Sequence, residues 1–417
     1  MKRYSEYKDS GVKWIGEIPG HWNAVSLKRV VKLINEKSNE QNIPYIALEN
    51  IESFTGKILP LNEIEPDSIC NKFKKDDVLF CKLRPYLTKC VSPSFDGKCT
   101  SELLVLRNFN GVANYLKYTL LSPRLVMDIN ASTYGAKMPR ANWNYIGLCR
   151  VPLPPLPEQE AIVTYLDTKV AKIDEYISIA EKKIAALEEL KQTIIAEAVT
   201  RGIHKDVPMK DSGVKWIGEI PGHWDLKRTA MLFSENRKKN INYEFDHALK
   251  FNYGKLVSKN EIGDVSSLKE TYMAYTIINK NDIAINCLNL NYDFVSQRVA
   301  ISPQKGIITS AYLIITPRQG VEAMYYNYLF KAMDSKKLFH GMGTGIRLTL
   351  SFSELKKQQI PVPLLSEQQE IVTYIEEKVA NINQLCQAER SQIEKLKEYK
   401  QRLISDVVTG KVKVTND

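Results

Sequence analysis

The side chains of this sequence that best suit a function are basic ones that lie beside amide or aromatic side chains. Such groups are typical of nucleic-acid binding. Lysine and arginine bind phosphates, whereas arginine, lysine, asparagine and glutamine also read base edges. In residues 1–156 the candidates are Lys72, Lys74, Lys75, Lys82, Arg84, Tyr86, Lys89, Lys137 and Arg140. In residues 203–364 they are Arg237, Lys238, Lys239, Lys250, Asn289, Arg298 and Arg347. For any single one, a solvated surface charge is an equally good interpretation.

The charge distribution supports a polyanionic partner. Residues 1–156 carry 22 basic and 15 acidic side chains, and residues 201–364 carry 23 and 15. Residues 157–200 carry 5 and 9, and residues 365–417 carry 8 and 9. Two basic blocks thus alternate with acidic or neutral ones, which favours nucleic-acid binding by the blocks. A coiled-coil scaffold that touches no nucleic acid is the alternative.

Catalytic and metal-binding motifs are missing from the sequence. It has no GxxxxGK[ST] phosphate-binding loop and no Asn-Pro-Pro-aromatic motif of amino-methyltransferases. The seven cysteines lack the short CxxC spacing typical of zinc sites. The sequence therefore predicts a protein that is not an enzyme and holds neither a metal ion nor a cofactor.

An internal repeat sets the positions of the candidate residues. The fifteen letters KDSGVKWIGEIPGHW at Lys8–Trp22 return unchanged at Lys210–Trp224. A proline-rich connector follows each basic block, VPLPPLP at 151–157 and IPVPLL at 360–365. The blocks between these landmarks differ in nearly all their sequence. The repeat therefore predicts a constant frame that carries two variable surfaces.

After each connector the sequence predicts a long amphipathic helix, Glu158–Thr200 and Glu367–Thr409. Apolar residues recur every three or four positions along a seam that includes Leu190 and Tyr399. The second basic block lies between the helices and can return the chain, which favours antiparallel pairing. We predict an α+β protein with two similar domains, an antiparallel coiled coil and an internal pseudo-twofold repeat.

The sequence also predicts the compartment. No apolar run approaches the length that spans a bilayer, and the N-terminus MKRYSEYKDS is polar, without a signal peptide. An odd number of cysteines favours reduced thiols. We expect a cytoplasmic protein without membrane contact.

Three features together resemble the specificity subunits of type I restriction–modification systems: DSGVKWIGEIPGHW, the duplicated basic block, and the PLPPLPEQ…IV junction. The resemblance covers the whole chain. It implies target-recognition domains at 1–156 and 203–364, a central spacer helix at 157–202, and a C-terminal spacer helix and tail at 365–417. It also implies that Tyr45–Ile58 and Ala248–Val257 form strand–loop elements near DNA.

The same resemblance implies the function. Each domain would read one half of a bipartite site in double-stranded DNA, and the coiled coil would set the spacing and bind two methyltransferase subunits. Restriction (translocase) subunits would join that complex, and the specificity subunit itself would be non-catalytic. The target sequence, the spacer length and the methylated base do not follow from the sequence.

Domains that read different sequences should not share their reading residues, so the repeated motif is assigned to docking. Its tryptophans would dock each domain on the helices or on the methyltransferase: Trp14, Trp22, Trp216 and Trp224. Seam residues of the two helices are also predicted to bind that partner: Leu166, Val170, Ile173, Ile375, Val379 and Ile382.

Overall fold

The computed structural model describes residues 3–61, 69–259, 265–343 and 348–415, and it divides into two compact units. The first unit joins Met1–Glu181 to Glu389–Asp417, and the second is Lys182–Ala388. The part of each unit outside the long helices is called its head: residues 3–155 in the first unit and 202–364 in the second. Each unit therefore combines one head with a segment of each long helix.

The first head is built from short strands and short helices, followed by a long helix. Its elements are β1 (Tyr7–Asp9), β2 (Glu17–Pro19), β3 (Asn23–Ser26), α1 (Leu27–Val30), β4 (Lys32–Ile34), β5 (Lys37–Ser38), β6 (Tyr45–Ile46), β7 (Cys70–Phe73), β8 (Val78–Cys81), a 3-10 helix (Pro85–Leu87), β9 (Cys90–Val91), β10 (Gly97–Cys99), β11 (Leu103–Arg107), α2 (Ala113–Leu120), α3 (Pro123–Ala131), α4 (Trp143–Ile146), β12 (Arg150–Leu153) and the long helix α5 (Leu156–Arg201).

Two four-stranded sheets form the core of the first head. One has the antiparallel order β4-β11-β8-β9, and the other has the order β5-β7-β10-β6, with β6 parallel to β10. The apolar runs of β8 and β11 are buried, and Val105 lies opposite both Leu79 and Ile34. Strands β3 and β12 pair separately, which brings the chain back to the start of α5.

The second head begins and ends with the same kinds of element as the first, whereas the elements in its middle differ. Its elements are β13 (Met209–Asp211), β14 (Glu219–Pro221), β15 (Asp225–Arg228), α6 (Thr229–Leu232), β16 (Phe233–Glu235), β17 (Leu249–Asn252), β18 (Lys255–Ser258), α7 (Val265–Met273), β19 (Thr276–Ile278), β20 (Ile283–Ile285), β21 (Val299–Ile301), β22 (Gly306–Ile308), β23 (Leu313–Pro317), α8 (Ala323–Ser335), a 3-10 helix (Leu338–Gly341), α9 (Phe352–Leu355), β24 (Gln359–Val362) and the long helix α10 (Leu365–Val408).

The sheet β16-β23-β20-β21 has the same antiparallel order as β4-β11-β8-β9 in the first head. The pair β15-β24 corresponds to β3-β12, and β13-β14 corresponds to β1-β2. The prediction of two similar α+β domains is therefore confirmed. Among the described residues, none of the helices combines the length and the apolar character needed to cross a membrane.

Segments of α5 and α10 run antiparallel within each unit. In the first unit Trp22 contacts Glu158 at the start of α5 and Gly410 just after α10, while Asp174 and Lys400 meet further along. In the second unit Lys191 donates a hydrogen bond to Asn383. The first turn contains Pro157 in α5 and Ser366 in α10. Proline is tolerated there because the first N–H groups of a helix have no partner within the helix.

The observed helix bounds lie close to the predicted ones, Glu158–Thr200 and Glu367–Thr409. The compact units differ from the four predicted segments, because each helix contributes to both units. As functional domains, the bounds 1–156, 157–202, 203–364 and 365–417 stay a prediction.

Candidate nucleic-acid interface and helix docking

The repeated motif docks the first head on the start of α5. Trp22 is fully buried, and its indole Nε1 donates to Glu158 Oε2 at 3.1 Å. The same carboxylate accepts from the Tyr4 hydroxyl at 2.7 Å and lies 2.5 Å from His21 Nε2. Burial, and then the hydrogen bond to Glu158, raises the pKa of Tyr4, so its hydroxyl stays a neutral donor.

The second copy of the motif makes the same contact in its own unit. Trp224 is fully buried and donates to Glu367 Oε1 at 2.9 Å, and His223 Nε2 lies 2.9 Å from Glu367 Oε2. The repeated letters HW and the repeated glutamate of the connector–helix junction therefore serve one purpose. They fix each head to the first turn of the helix that follows it.

The glutamine that follows each glutamate makes a second set of hydrogen bonds between the helix start and the head. Gln159 accepts a hydrogen bond from the Val112 backbone at 3.0 Å, and Gln368 accepts one from the Glu322 backbone at 2.9 Å. Each side-chain amide also donates to a carbonyl of the proline-rich connector at 2.9 Å. The repeated EQ pair thus ties the helix start to the motif, the connector and the head.

A buried tyrosine in each head reaches the end of the other long helix. The Tyr115 hydroxyl lies between two carbonyl oxygens, that of Pro152 at 2.9 Å and that of Val408 in α10 at 3.2 Å. The Tyr325 hydroxyl donates to the carbonyl of Val199 in α5 at 2.8 Å. Unpaired carbonyls at helix ends need donors, and the tyrosines supply them. Each head is therefore held by the start of one helix and the end of the other.

The structure places the four predicted docking tryptophans in different surroundings. Trp22 and Trp224 dock the head on the helix, which is the first of the two alternatives. With no exposed surface, they cannot bind a separate protein, so that part of the prediction is wrong. Trp14 is 7% exposed and donates to the Arg150 carbonyl within its own head. Trp216 is partly buried against the core of the second unit, and its role toward a partner stays a prediction.

The predicted seam residues belong to the unit cores. Leu166, Val170, Ile173, Ile375 and Ile382 are buried, and Val379 is partly buried against the core of the second unit. The five buried residues pack inside their own units and offer no surface to a partner, so their assignment as partner contacts is corrected. The assignment of Val379 stays a prediction.

Other apolar residues of the long helices face outward. They include Leu156, Tyr176, Ile179, Leu190, Leu365, Leu385 and Tyr399. The assignment of Leu190 and Tyr399 to the seam was wrong, since they are 48% and 46% exposed. The repeat relates Tyr176 to Leu385 and Leu190 to Tyr399, each pair separated by 209 positions. The recurrence of these apolar residues at matching positions of the repeat was a signal in the sequence. The spacing of apolar residues alone did not separate them from the seam.

In the first head, two loops meet and bring several of the predicted basic residues together. The backbone of Leu83 bridges that of Arg140, and the Arg84 N–H donates to the Pro139 carbonyl at 2.7 Å. Arg84 has a left-handed backbone (φ 48°), which turns the chain sharply at the exposed edge. The joined surface carries Lys82, Arg84, Tyr86, Lys137 and Arg140, together with the exposed Tyr134 and Met138, which sequence reasoning did not single out.

Several basic candidates of the first head already have partners, and Arg140 of the joined surface is among them. Lys72 Nζ is 2.7 Å from Glu40, Lys89 Nζ donates to the Leu48 carbonyl at 2.6 Å, and Arg140 pairs with Glu102 at 2.9 Å. Lys74 and Lys75 are exposed in the turn between β7 and β8. Exposed ion pairs are weak and exchange readily for phosphate contacts, so these lysines stay predictions.

In the second head, most of the predicted residues are exposed. Arg237, Lys238 and Lys239 form an exposed turn after β16, although Arg237 is paired with Glu235 at 2.7 Å. Lys250 is exposed on β17, next to a hairpin tip at which Tyr253 is 91% exposed. Asn289 is exposed on the loop between β20 and β21. Arg347 lies outside the described residues.

Arg298 is the clear exception. Its side chain is fully buried, and both terminal nitrogens donate to backbone carbonyls of the preceding loop. A buried guanidinium that is bound by carbonyls cannot reach DNA, so the prediction that Arg298 contacts DNA is wrong. Sequence spacing alone does not separate a buried arginine from an exposed one.

Among the described residues, no group of three or more histidine, cysteine, aspartate or glutamate side chains could hold a metal ion. All seven cysteines are buried. Burial raises the pKa of Cys81 to about 11 and that of Cys99 to about 12, which leaves these thiols protonated and unreactive.

Known proteins share this organisation. Residues 209–395 match the family described as type I restriction modification DNA specificity domain. The chain is 24% identical to the putative type I restriction enzyme MjaX specificity subunit of Methanocaldococcus jannaschii, over 98% of each chain. It is also 24% identical to the type I restriction enzyme EcoDI specificity subunit of Escherichia coli, over 54% of this chain and 48% of that protein.

A solved structure concerned with complex assembly and conformational transition of the type I R-M system has the same fold. Its TM-score is 0.69 at 17% identity, and the match covers 94% of this chain and 98% of that one.

Proposed function

Because the chain belongs to the specificity-subunit family of type I restriction–modification systems, we propose that each of its two heads reads one half of a bipartite site in double-stranded DNA. Specificity subunits are the non-catalytic, DNA-recognition components of these systems.

One observation carries the proposal. The tryptophan, histidine and glutamine contacts that dock the heads are repeated in both units, whereas the exposed loops of the heads are not. Glu158 holds Trp22 in the first unit, and Glu367 holds the corresponding Trp224 in the second. In contrast, the exposed edge shows Arg84 and Tyr86 in the first head but Asn289 and Tyr292 in the second. A constant frame with variable contact residues is what two different half-sites require.

The exposed surfaces have suitable chemistry for duplex DNA. Arginine and lysine side chains supply phosphate contacts and bidentate contacts to guanine, and asparagine pairs with adenine. The first head offers mainly cations, Arg84 and Lys137 among them, whereas the second adds the amide of Asn289. The two half-sites should therefore differ in base composition.

The long helices supply the second part of the proposal. Tyr176 and Tyr399 are exposed in the first unit, and Leu190 and Leu385 occupy the matching positions in the second. Exposed apolar side chains on a helix mark protein interfaces. We assign them to two methyltransferase subunits, one on each unit, and restriction subunits join through that complex.

DNA binding of the purified chain, with and without its methyltransferase subunits, tests the proposal. We expect the chain alone to bind duplex DNA weakly and with a steep dependence on salt, since phosphate contacts dominate. The assembled complex should bind one bipartite sequence at least about a thousandfold more tightly than scrambled DNA. Sequence-independent binding by the assembled complex would contradict the proposal.

A further inference from the structure

The loop at residues 286–295, between β20 and β21, presents an unusually exposed group of side chains. Tyr292 is 80% exposed, Phe294 54% and Val295 92%, and Asn289 is exposed beside them. Large apolar side chains gathered at the surface mark a binding site. Some interaction must therefore hold the loop backbone so that these side chains stay exposed instead of packing onto the head.

The buried guanidinium of Arg298 provides that interaction. Its Nη1 donates to the carbonyls of Asn286 at 3.1 Å and Leu288 at 2.7 Å. Its Nη2 donates to the carbonyl of Asp293 at 2.7 Å and lies 3.4 Å from that of Asn289. One side chain thus fixes the backbone at both ends of the loop. The planar fork of arginine suits this task, and a lysine ammonium does not reproduce it.

Neighbouring groups hold Arg298 and the loop in register. The Arg298 backbone N–H donates to Asp334 Oδ2 at 2.8 Å, which ties the loop base to α8. The Asp293 carboxylate accepts from the Ser296 N–H at 2.9 Å and lies 3.5 Å from Arg298 Nη2. Hydrogen bonds from Ser296 lower the pKa of Asp293 to about 2, so it is ionised at neutral pH. His340 stacks on Phe294 with ring centres 4.6 Å apart.

The backbone at the loop tip depends on these restraints. Asn289 has a left-handed conformation (φ 52°), which asparagine adopts more readily than most residues. Its carbonyl accepts from the N–H groups of Tyr292 and Asp293, both at 3.2 Å. Leu290, between them, is fully buried in the core of the second unit. The buried Leu290 and the clamped carbonyls leave the Asn289 and Tyr292 side chains outward.

We propose that Arg298 is a positioning residue for sequence reading by the second head: it clamps loop 286–295 so that Asn289 and Tyr292 meet DNA, without touching DNA itself. This inference rests on the proposed function and names the residues that carry it out in one unit. It predicts that Arg298 controls one half-site and leaves the other unchanged.

Selection from duplexes with both half-sites randomised tests the inference, with the full chain assembled with its methyltransferase subunits. Arg298→Lys keeps the charge but loses the fork. We expect the preference for the correct second half-site over a scrambled one to fall about 10- to 100-fold, the loss of one or two base contacts. The first half-site and the affinity for fully scrambled DNA should stay within about threefold. Arg84→Ala, the matched control, should weaken only the first half-site.

A double variant separates positioning from general structure. If Arg298 acts through the loop, Arg298→Lys combined with Asn289→Ala should lose little more than the larger single loss. Losses that multiply, an unchanged second half-site, or equal damage to both half-sites would overturn the inference. Should Arg298→Lys fail to fold, the surface variants Asn289→Ala and Tyr292→Ala decide: unchanged discrimination overturns it, and loss confined to the second half-site supports it.

The proposed function fails in a different way. If the wild-type complex selects no bipartite sequence, the proposed function is wrong. If it selects one and these variants do not disturb the second half, the positioning role alone is wrong.

Discussion

In the first unit, Lys400 Nζ lies 2.7 Å from Asp174 Oδ1, and the two side chains are only 4% and 14% exposed. The repeat places Lys191 and Asn383 at the same two positions in the second unit, where Nζ and Oδ1 are 3.3 Å apart. One lysine–oxygen contact therefore recurs in both units, with a carboxylate in one and a neutral amide in the other. Asp174 also meets Lys57 of the first head at 2.7 Å.

Removing the carboxylate should destabilise the first unit strongly. Asp174→Ala leaves Lys400 buried without its counter-charge, and we expect a loss of about 3–5 kcal/mol in the free energy of unfolding. Asp174→Asn should cost less, because the amide oxygen can still accept from Lys400 as Asn383 does from Lys191. Urea unfolding followed by circular dichroism measures both. The matched change Asn383→Ala should cost about 1 kcal/mol, and equal stability of all three variants and the wild type would refute the assignment.

The same pair predicts a pH dependence. Burial raises the pKa of Asp174, but the hydrogen bond from Lys400 and the contact with Lys57 outweigh it, so the pKa lies below its ordinary value. A carboxylate with a lowered pKa stabilises the fold above its unfolded pKa of about 3.9, and the contribution is lost as pH falls through the folded value. The stability difference between wild type and Asp174→Asn should therefore be constant from neutral pH to about 5 and shrink below that. A difference that grows on acidification would contradict this.

Loss of the glutamate that holds the motif should affect stability, not recognition. Glu158→Ala leaves the buried Trp22 N–H and the Tyr4 hydroxyl without an acceptor, at a cost of about 1–3 kcal/mol. Glu160→Ala, an exposed neighbour on the same helix, should cost under about 0.5 kcal/mol. Thermal unfolding measures the loss, and the recognised DNA sequence should not change. A changed sequence with an unchanged melting temperature would show that the motif reads DNA.

The exposed helix residues should control the number of bound methyltransferase subunits. Tyr176→Glu with Tyr399→Glu places charge on the first unit only, so the stoichiometry should fall from two copies to one. Leu190→Glu with Leu385→Glu should do the same through the second unit. Met127→Glu, at a still more exposed apolar site in α3, is the control and should retain two. Two copies bound to each helix variant, measured by light scattering, would rule out these surfaces.

Shortening the helices should shorten the spacer between half-sites. Deleting one heptad from each helix, from Ile184 onward in α5 and at the facing positions of α10, removes about 10 Å of helix, or about three base pairs of B-DNA. Both half-site sequences should stay the same. An unchanged spacer, read from the modified sites of the host genome, would disprove the role of the helices as a ruler.

Much of the fold follows from the sequence because the repeat and the heptad spacing are one-dimensional signals. Lys8–Trp22 and its copy mark the head starts, and the absence of proline and glycine after Pro157 marks a long helix. Docking of Trp22 on the helix was one of two alternatives that the shared motif allowed. The contact with Glu158 decides between them, since it depends on which side chain faces the helix start.

Which residues lie at the surface was harder to predict from the sequence, because burial depends on three-dimensional packing. Arg298 looked like any other basic residue near a turn, yet four carbonyls of one loop surround it. Leu190 and Tyr399 fit the apolar spacing, yet they lie on the outer side of their helices. Charge and spacing can indicate that a block binds DNA, whereas they do not rank the individual residues.

Single-molecule sequencing of modified bases, in a host that carries this chain with its methyltransferase subunits, tests the central claim most directly. We predict methylation at one motif made of two short defined blocks separated by a fixed spacer. The Arg298→Lys substitution should relax the sequence requirement in only one of these blocks. Methylation at a single continuous motif, or at sites that do not depend on this chain, would contradict the division of recognition between the two heads.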